Sequence, residues 1–230
     1  MKLVVTCEHG GNEIPVKYAS YFKEHEAILK THRGFDLGAL EFFNHLKTLA
    51  DFTSFSETSR LFIELNRSLH HKNLFSECTK DLPLSAKEEI VANYYLLYRN
   101  SIEDKIAKHI NQNELIIHLS IHSFTPVLNA VKRNCDIGLL FDSRIPLEKE
   151  VSVFLKESMV AKTNNFKVRY NYPYLGKMDG FTTYLRKKFP KNYVGIEIEI
   201  NQKYVEDNRE KMILKKVLFD AVSALKTNNS

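Results

Sequence analysis

Two hexapeptides limit the folds open to this chain. Ile117-His118-Leu119-Ser120-Ile121-His122 and Ile196-Glu197-Ile198-Glu199-Ile200-Asn201 alternate strictly between apolar and polar residues. Period-two alternation marks a β-strand, because successive side chains leave opposite faces. One face of each strand is isoleucine or leucine. The other carries His118, Ser120 and His122, or Glu197, Glu199 and Asn201. An edge strand with one wet face satisfies this pattern. A central strand satisfies it only if the polar face is paired or holds a metal, since a bare buried carboxylate is costly.

The rest of the chain supplies layers for such strands. Lys2–Thr6 reads as a short buried strand running into Cys7-Glu8-His9-Gly10-Gly11-Asn12. From about Asp36 to Ala50, apolar residues recur at helical spacing: Leu37, Leu40, Phe43, Leu46 and Leu49. Phe52–Phe55 and Leu61–Leu65 are expected as paired strands. Residues 85–110 carry the longest helical pattern, opened by Ser85 and Glu88 at capping-box spacing. Further strands are expected at Leu115–Ile121, Asp136–Phe141 and Val194–Ile200. Helices are expected at Leu147–Val160, Thr182–Lys188 and Asp207–Lys226, with a loop at Asn171–Gly180. Alternating strands and helices predict an α/β fold, a single three-layer domain over residues 1–230 whose mixed, largely parallel sheet is flanked by helices.

Composition narrows the function classes. A hydrophobic share of 43% with 27% charged residues fits a folded globular chain. The net charge of +5, from 33 basic and 28 acidic residues, is mild, and the basic residues are scattered. That balance suits a small anionic ligand and calls for no nucleic-acid partner. No apolar run approaches the length of a membrane span, and Met1 leads straight into LVVT, which predicts no signal peptide. Cys7, Cys78 and Cys135 show no CxxC spacing, which fits a reduced, cytoplasmic setting. The oligomeric state stays open.

Chemistry gathers at the strand ends. His122 closes its strand before Ser-Phe-Thr-Pro, and His9 follows the first strand before two glycines. In open α/β sheets, ligands bind beyond the carboxyl ends of the strands, so these imidazoles are candidates to meet. Histidine is the commonest metal ligand, and catalytic zinc sites use three protein ligands plus water. Asp36 is the best third candidate, although a helix cap is an equal reading for it. Gly10 and Gly11 also fit a plain turn that needs positive φ. Arg67 and Arg133 lie near proposed strand ends, where a guanidinium could hold a carboxylate bidentately. A strand-end histidine taken alone is more often a structural, hydrogen-bonded residue.

In order, seven segments resemble the N-formylglutamate amidohydrolase family: TCEHGGNEIP at 6–15, HRGFDLGA at 32–39, SRLFIELNRS at 59–68, HLSIHSFTPV at 118–127, RNCDIGLLFD at 133–142, NYPYLGKMDGFTTYLR at 171–186 and IEIEINQKYV at 196–205. The resemblance implies a fold related to zinc carboxypeptidases and aminoacylases, with zinc at the strand ends. It implies deacylation of a small anionic N-acyl amino acid such as N-formylglutamate. Carried onto this chain, it makes His9 and His122 metal ligands and Glu199 the general base. The carboxypeptidase pattern places a glutamate three residues after its first histidine, where this chain has Asn12. The third ligand is therefore assigned to Asp36. Arg133 is expected to aid catalysis, and Arg67, Asn66, Tyr174 and Arg186 to bind substrate. Glu197 is expected to hold a ligand histidine or an arginine.

Two rival readings remain at this level. One is a thiol hydrolase built on Cys7. The other is a metal-independent module that binds an anion without turning it over.

Overall fold

The computed structural model describes residues 1–205 and 208–228. Its frame is a six-stranded sheet. In chain order the elements are β1 (Lys2–Cys7), a 3₁₀ segment (Val16–His25), α1 (Glu26–Leu29), α2 (Ala39–Leu46), β2 (Phe52–Phe55), α3 (Leu84–Ile90), a π-turn stretch (Val91–Leu96) and α4 (Leu97–Ile110). There follow β3 (Ile116–Phe124), β4 (Val127–Leu128), β5 (Val131–Lys132), β6 (Ile137–Leu140), α5 (Pro146–Lys162), β7 (Val168–Tyr170), α6 (Phe181–Lys188), β8 (Tyr193–Asn201) and α7 (Asn208–Asn228). The expected start of the last helix, Asp207, lies outside the described residues.

The strand order is β2-β1-β3-β8-β6-β7, with β4 and β5 forming a separate hairpin. β2, β1, β3 and β8 run parallel, and β6 pairs antiparallel to β8 while running parallel to β7. The three-layer α/β class with a mixed, largely parallel sheet is therefore the observed one.

The two informative strands, β3 and β8, pair with each other in the middle of the sheet, and all nine residues of β3 are buried. The wet-edge reading fails. Leu3, Val5, Ile117, Leu119, Ile121, Ile196 and Ile198 face the main core, where α2, α5 and α7 pack. Each such fully buried aliphatic side chain contributes about 1.5–3 kcal/mol, which pins the register and turns the polar residues to the opposite face. That face is covered at one end by Val4, Ile102, Ile106, Phe181 and Leu185, from β1, α4 and α6. Its other end is left for the polar residues.

Leu61–Leu65 is not a strand. It is a buried run of turns in a second core with Tyr18, Phe22, Ile90 and Tyr95. Its backbone turns back at Phe62, whose N–H donates to the Ser59 carbonyl 2.9 Å away. The capping box at Ser85 also fails to form, because α3 starts at Leu84, with Pro83 rather than Ser85 at its N-cap.

Candidate active site

Parallel pairing aligns the carboxyl ends of β1, β3 and β8 along one rim. Thr6 lies opposite Ser120, Ser120 opposite Glu197, and His122 opposite Glu199. Beyond β1 the chain turns at Gly10 and Gly11. Neither has positive φ; the only positive-φ glycine among the described residues is Gly38. They are small because the next segment crosses against them. A Cβ on Gly11 would sit 2.6 Å from the Glu57 carbonyl oxygen, and one on Gly10 2.9 Å from that of Ser56.

At this rim His9, Asp36 and His122 each offer one ligand atom, all within 4.8 Å of one another. All three residues are buried. Asp36 is not a helix cap, because Gly38 occupies that position with no side-chain bond. Its Oδ2 lies 2.9 Å from His122 Nδ1 and 3.4 Å from His9 Nδ1. Burial alone would raise the Asp36 pKa, but His9, His122 and Arg60 overcome it and hold the carboxyl well below its ordinary range. Burial likewise disfavours a charged His122, yet hydrogen bonds to Asp36 and Glu8 raise its pKa well above that of free histidine.

The far nitrogens have their own carboxylates. His9 Nε2 contacts Glu64. Arg60 clamps Glu64 with Nη2 at 2.6 Å and Nε at 2.9 Å, and reaches Asp36 with Nη1 at 3.0 Å. His122 Nε2 lies 3.2 Å from Glu8 and 2.9 Å from the Ser120 hydroxyl. Glu8 is fully buried and accepts hydrogen bonds from Ser120 at 2.5 Å and from Tyr98 at 3.0 Å. Carboxylates bound to the outer nitrogen of metal-ligating histidines fix the ring orientation and raise its basicity.

Glu199 stands beside His122 in a cleft of about 160 Å³. Burial, with the Asp36 and Glu197 charges, pushes its pKa up to about 8 against the opposing pull of His122 and Arg60. Its Oε2 is buried and has no hydrogen-bond partner among the described residues. Asn66, Arg67, Tyr174, Met178 and Glu197 also line the cleft. Asn66 Oδ1 accepts from the Phe181 N–H at 2.7 Å, and Arg67 Nη1 donates to the Asp179 carbonyl at 2.5 Å. The Asn171–Gly180 loop crosses above Glu199 closely enough that a Cβ on Gly138 would lie 2.0 Å from the Tyr172 carbonyl oxygen and 3.2 Å from Glu199 Cβ.

Of the residues singled out by sequence, His9, Asp36, His122, Glu199, Asn66, Arg67 and Tyr174 share this cleft. Arg133 does not line it. Its guanidinium donates to the Tyr174 hydroxyl at 3.0 Å and to the Thr125 hydroxyl at 3.2 Å, reaching the cleft only through Tyr174. Arg186 is elsewhere: it bonds Glu148 at 2.6 Å and the carbonyls of Gly176 and Gly195, and it does not line the cleft. Asn12 also faces away, donating to the Leu29 carbonyl at 3.0 Å. Glu197 accepts from the Thr182 hydroxyl at 2.9 Å rather than holding a histidine or an arginine. Cys7 belongs to the main core, where burial and the nearby Glu8 and Asp36 charges raise its thiol pKa well above normal. A thiolate nucleophile there has no access to the cleft.

Glu8, Arg60 and Glu64 were missed. Their only sequence signal is a charge set among apolar or motif residues, as with Glu64 between Ile63 and Leu65. The donor set suits a cation: two imidazoles and a carboxylate are ligand types of catalytic zinc, and each histidine is backed by a buried acid. The unpartnered Glu199 oxygen beside them fits a site built for a further group.

Comparison with known proteins agrees with this fold. A gene product, Atu2144, from Agrobacterium tumefaciens superposes at TM-score 0.75 with 22% identity, covering 98% of this chain and 92% of its own. An N-formylglutamate amidohydrolase from Ralstonia eutropha JMP134 superposes at 0.74 with 13% identity, covering 100% and 94%. No curated protein sequence gives a significant match. The sequence profile of N-formylglutamate amidohydrolase matches residues 1–205, nearly the whole chain. The chain belongs to the N-formylglutamate amidohydrolase family, and amide hydrolysis is the activity this membership supports.

Proposed function

We propose that this chain hydrolyses the amide bond of a small anionic N-acyl amino acid of the N-formylglutamate type, as a zinc enzyme. The observation that carries the reading is the meeting of His9, Asp36 and His122 at the strand ends, with Glu199 in the same cleft. Those three residues would hold the zinc, which when bound supplies Lewis acidity and a lowered water pKa. A neighbouring cation also favours the ionised form of Glu199.

The chain's own groups do the rest. Glu199 takes the proton from the attacking water and returns it to the leaving amine. Its partial enclosure by the Asn171–Gly180 loop limits competing solvent. Arg67 lines the cleft, its side chain having only the Asp179 carbonyl as partner among the described residues, and anchors a substrate carboxylate, in keeping with the mild positive charge of the chain. Asn66 and Tyr174 offer hydrogen bonds to the amide and its neighbours. Arg133 acts by holding the Tyr174 hydroxyl in place.

The test is turnover of N-formylglutamate by purified protein before and after chelation. Loss of formate release on chelation, restored by zinc, is the expected result. Undiminished release by metal-free protein would contradict it. A chain that binds N-formylglutamate yet never releases formate would favour the binding-module reading.

A further inference from the structure

Arg60 has a second side. Besides lining the cleft, it lines a separate cavity of about 370 Å³ together with Arg33, Lys72, Asn73, Ser76 and Lys80. The carboxylates in that cavity, Glu64 and Glu77, are already taken, Glu64 by Arg60 and Glu77 by Arg33. Lys72 and Lys80 are exposed and have no ion-pair partner among the described residues. The cavity therefore carries a surplus of two positive charges, beside the Asn73 amide. Most exposed lysines stand singly on open surface, where solvent and salt screen them. Two unpaired ammonium groups facing one concave space instead provide a focused positive field.

We propose that this cavity binds a small oxyanion bearing two negative charges, of phosphate or short dicarboxylate chemistry, and that occupancy is felt at the His9–Asp36–His122 cluster through Arg60. Binding draws on Lys72 and Lys80 as charge partners and on Asn73 as a neutral donor. The coupling follows from the Arg60 fork. One arm holds Asp36, and the other two nitrogens hold Glu64, which backs His9. An anion on the cavity side attracts the guanidinium and loosens its hold on both carboxylates. Their charge is then freer to face a cation at the cluster, and the anion adds its own negative potential. Both effects tighten cation binding, and linkage makes the benefit mutual. The coupling rests on the zinc reading above; the anion binding does not.

The experiment is calorimetric titration of the full chain with inorganic phosphate and, separately, with succinate, in wild type and in Lys72→Ala/Lys80→Ala. The exposed lysines can be removed without touching the cleft. Saturable binding of at least one anion to wild type is expected, weakened about tenfold or more in the double variant through loss of two charge-assisted contacts. The arm that binds identifies the chemistry. No binding of either anion, or equal binding by both proteins, overturns the proposal, since equal binding places the anion elsewhere. Zinc affinity, measured by chelator competition, is expected to rise several-fold when the binding anion saturates wild type, and to stay constant in the double variant. An unchanged zinc affinity in wild type overturns the coupling. A chain that takes no zinc but still loses anion binding in the double variant refutes the zinc reading and upholds the cavity.

Discussion

His118 and His122 leave the same face of β3, about 13 Å apart along the strand at 3.3 Å per residue, and both are buried. They live in opposite chemistries. His118 sits between the Thr6 hydroxyl and the Tyr193 hydroxyl, each 2.8 Å away. Burial pushes its pKa down to about 4, with the distant Glu8 charge too weak to prevent it. His122 sits between Asp36 and Glu8, and its pKa rises despite equal burial. Burial therefore does not decide protonation here; the partners do. The partners differ because loops reach only the rim. Asp36 arrives from the turn before α2, and Glu8 from the residue after β1. The deep end is covered by apolar side chains of α4 and α6, and the hydrogen-bond partners it offers His118 are the neutral hydroxyls of Thr6 and Tyr193.

If the rim is the reactive end and the deep end a structural one, the largest contrast lies in turnover. Glu199→Gln is expected to lower kcat by about 10²–10⁴ with zinc content unchanged, as for loss of a general base. Glu197→Gln, two residues back toward the deep end, is expected to cost less in kcat. Steady-state kinetics with metal analysis on both variants separates them. A Glu199→Gln protein at wild-type rate would assign the base to another residue.

The deep end makes a stability prediction. The folded pKa of His118 lies below its unfolded value of about 6.5, so the unfolded chain binds more protons between those limits. Its contribution is intact above pH 6.5 and is lost as pH falls towards 4, a loss of roughly 3 kcal/mol at about 1.4 kcal/mol per unit. Urea unfolding across that range should show the loss in wild type and a flatter profile in His118→Gln. Identical profiles would mean that His118 is not held neutral by the fold.

The outer carboxylates give the smallest effect. Glu8→Gln keeps the shape and one acceptor oxygen for Ser120 or Tyr98 but removes the charge behind His122. Metal affinity is expected to fall by about 10- to 100-fold, the usual cost of losing such a partner. Chelator competition measures it, and an unaltered affinity would reduce Glu8 to a structural role.

Much of the rim was legible because alternation in β3 and β8 reports a face directly. The isoleucines can only point into the core, so His122 and Glu199 had to share the other side. Asp36 was legible only as one of two options, since a helix-start aspartate looks the same whether it caps or ligates. Arg186 was misleading: its motif segment does reach the cleft, but the side chain turns under the loop to Glu148. Leu61–Leu65 shows the limit of apolar content, which reports burial without direction. Glu8, Arg60 and Glu64 were illegible as a group, because apart from the Arg60–Glu64 pair, four residues apart, their roles come from pairings across 24 residues or more that no local pattern encodes.

Elemental analysis of zinc per chain separates rim from deep end most sharply when run on wild type, His122→Ala, Asp36→Asn, Asn12→Ala and His118→Gln after identical preparation. About one zinc is expected in wild type, Asn12→Ala and His118→Gln, with most of it lost in His122→Ala and Asp36→Asn while circular dichroism stays unchanged. Full zinc occupancy in a folded His122→Ala, or loss in Asn12→Ala with retention in Asp36→Asn, would contradict a centre built from His9, Asp36 and His122.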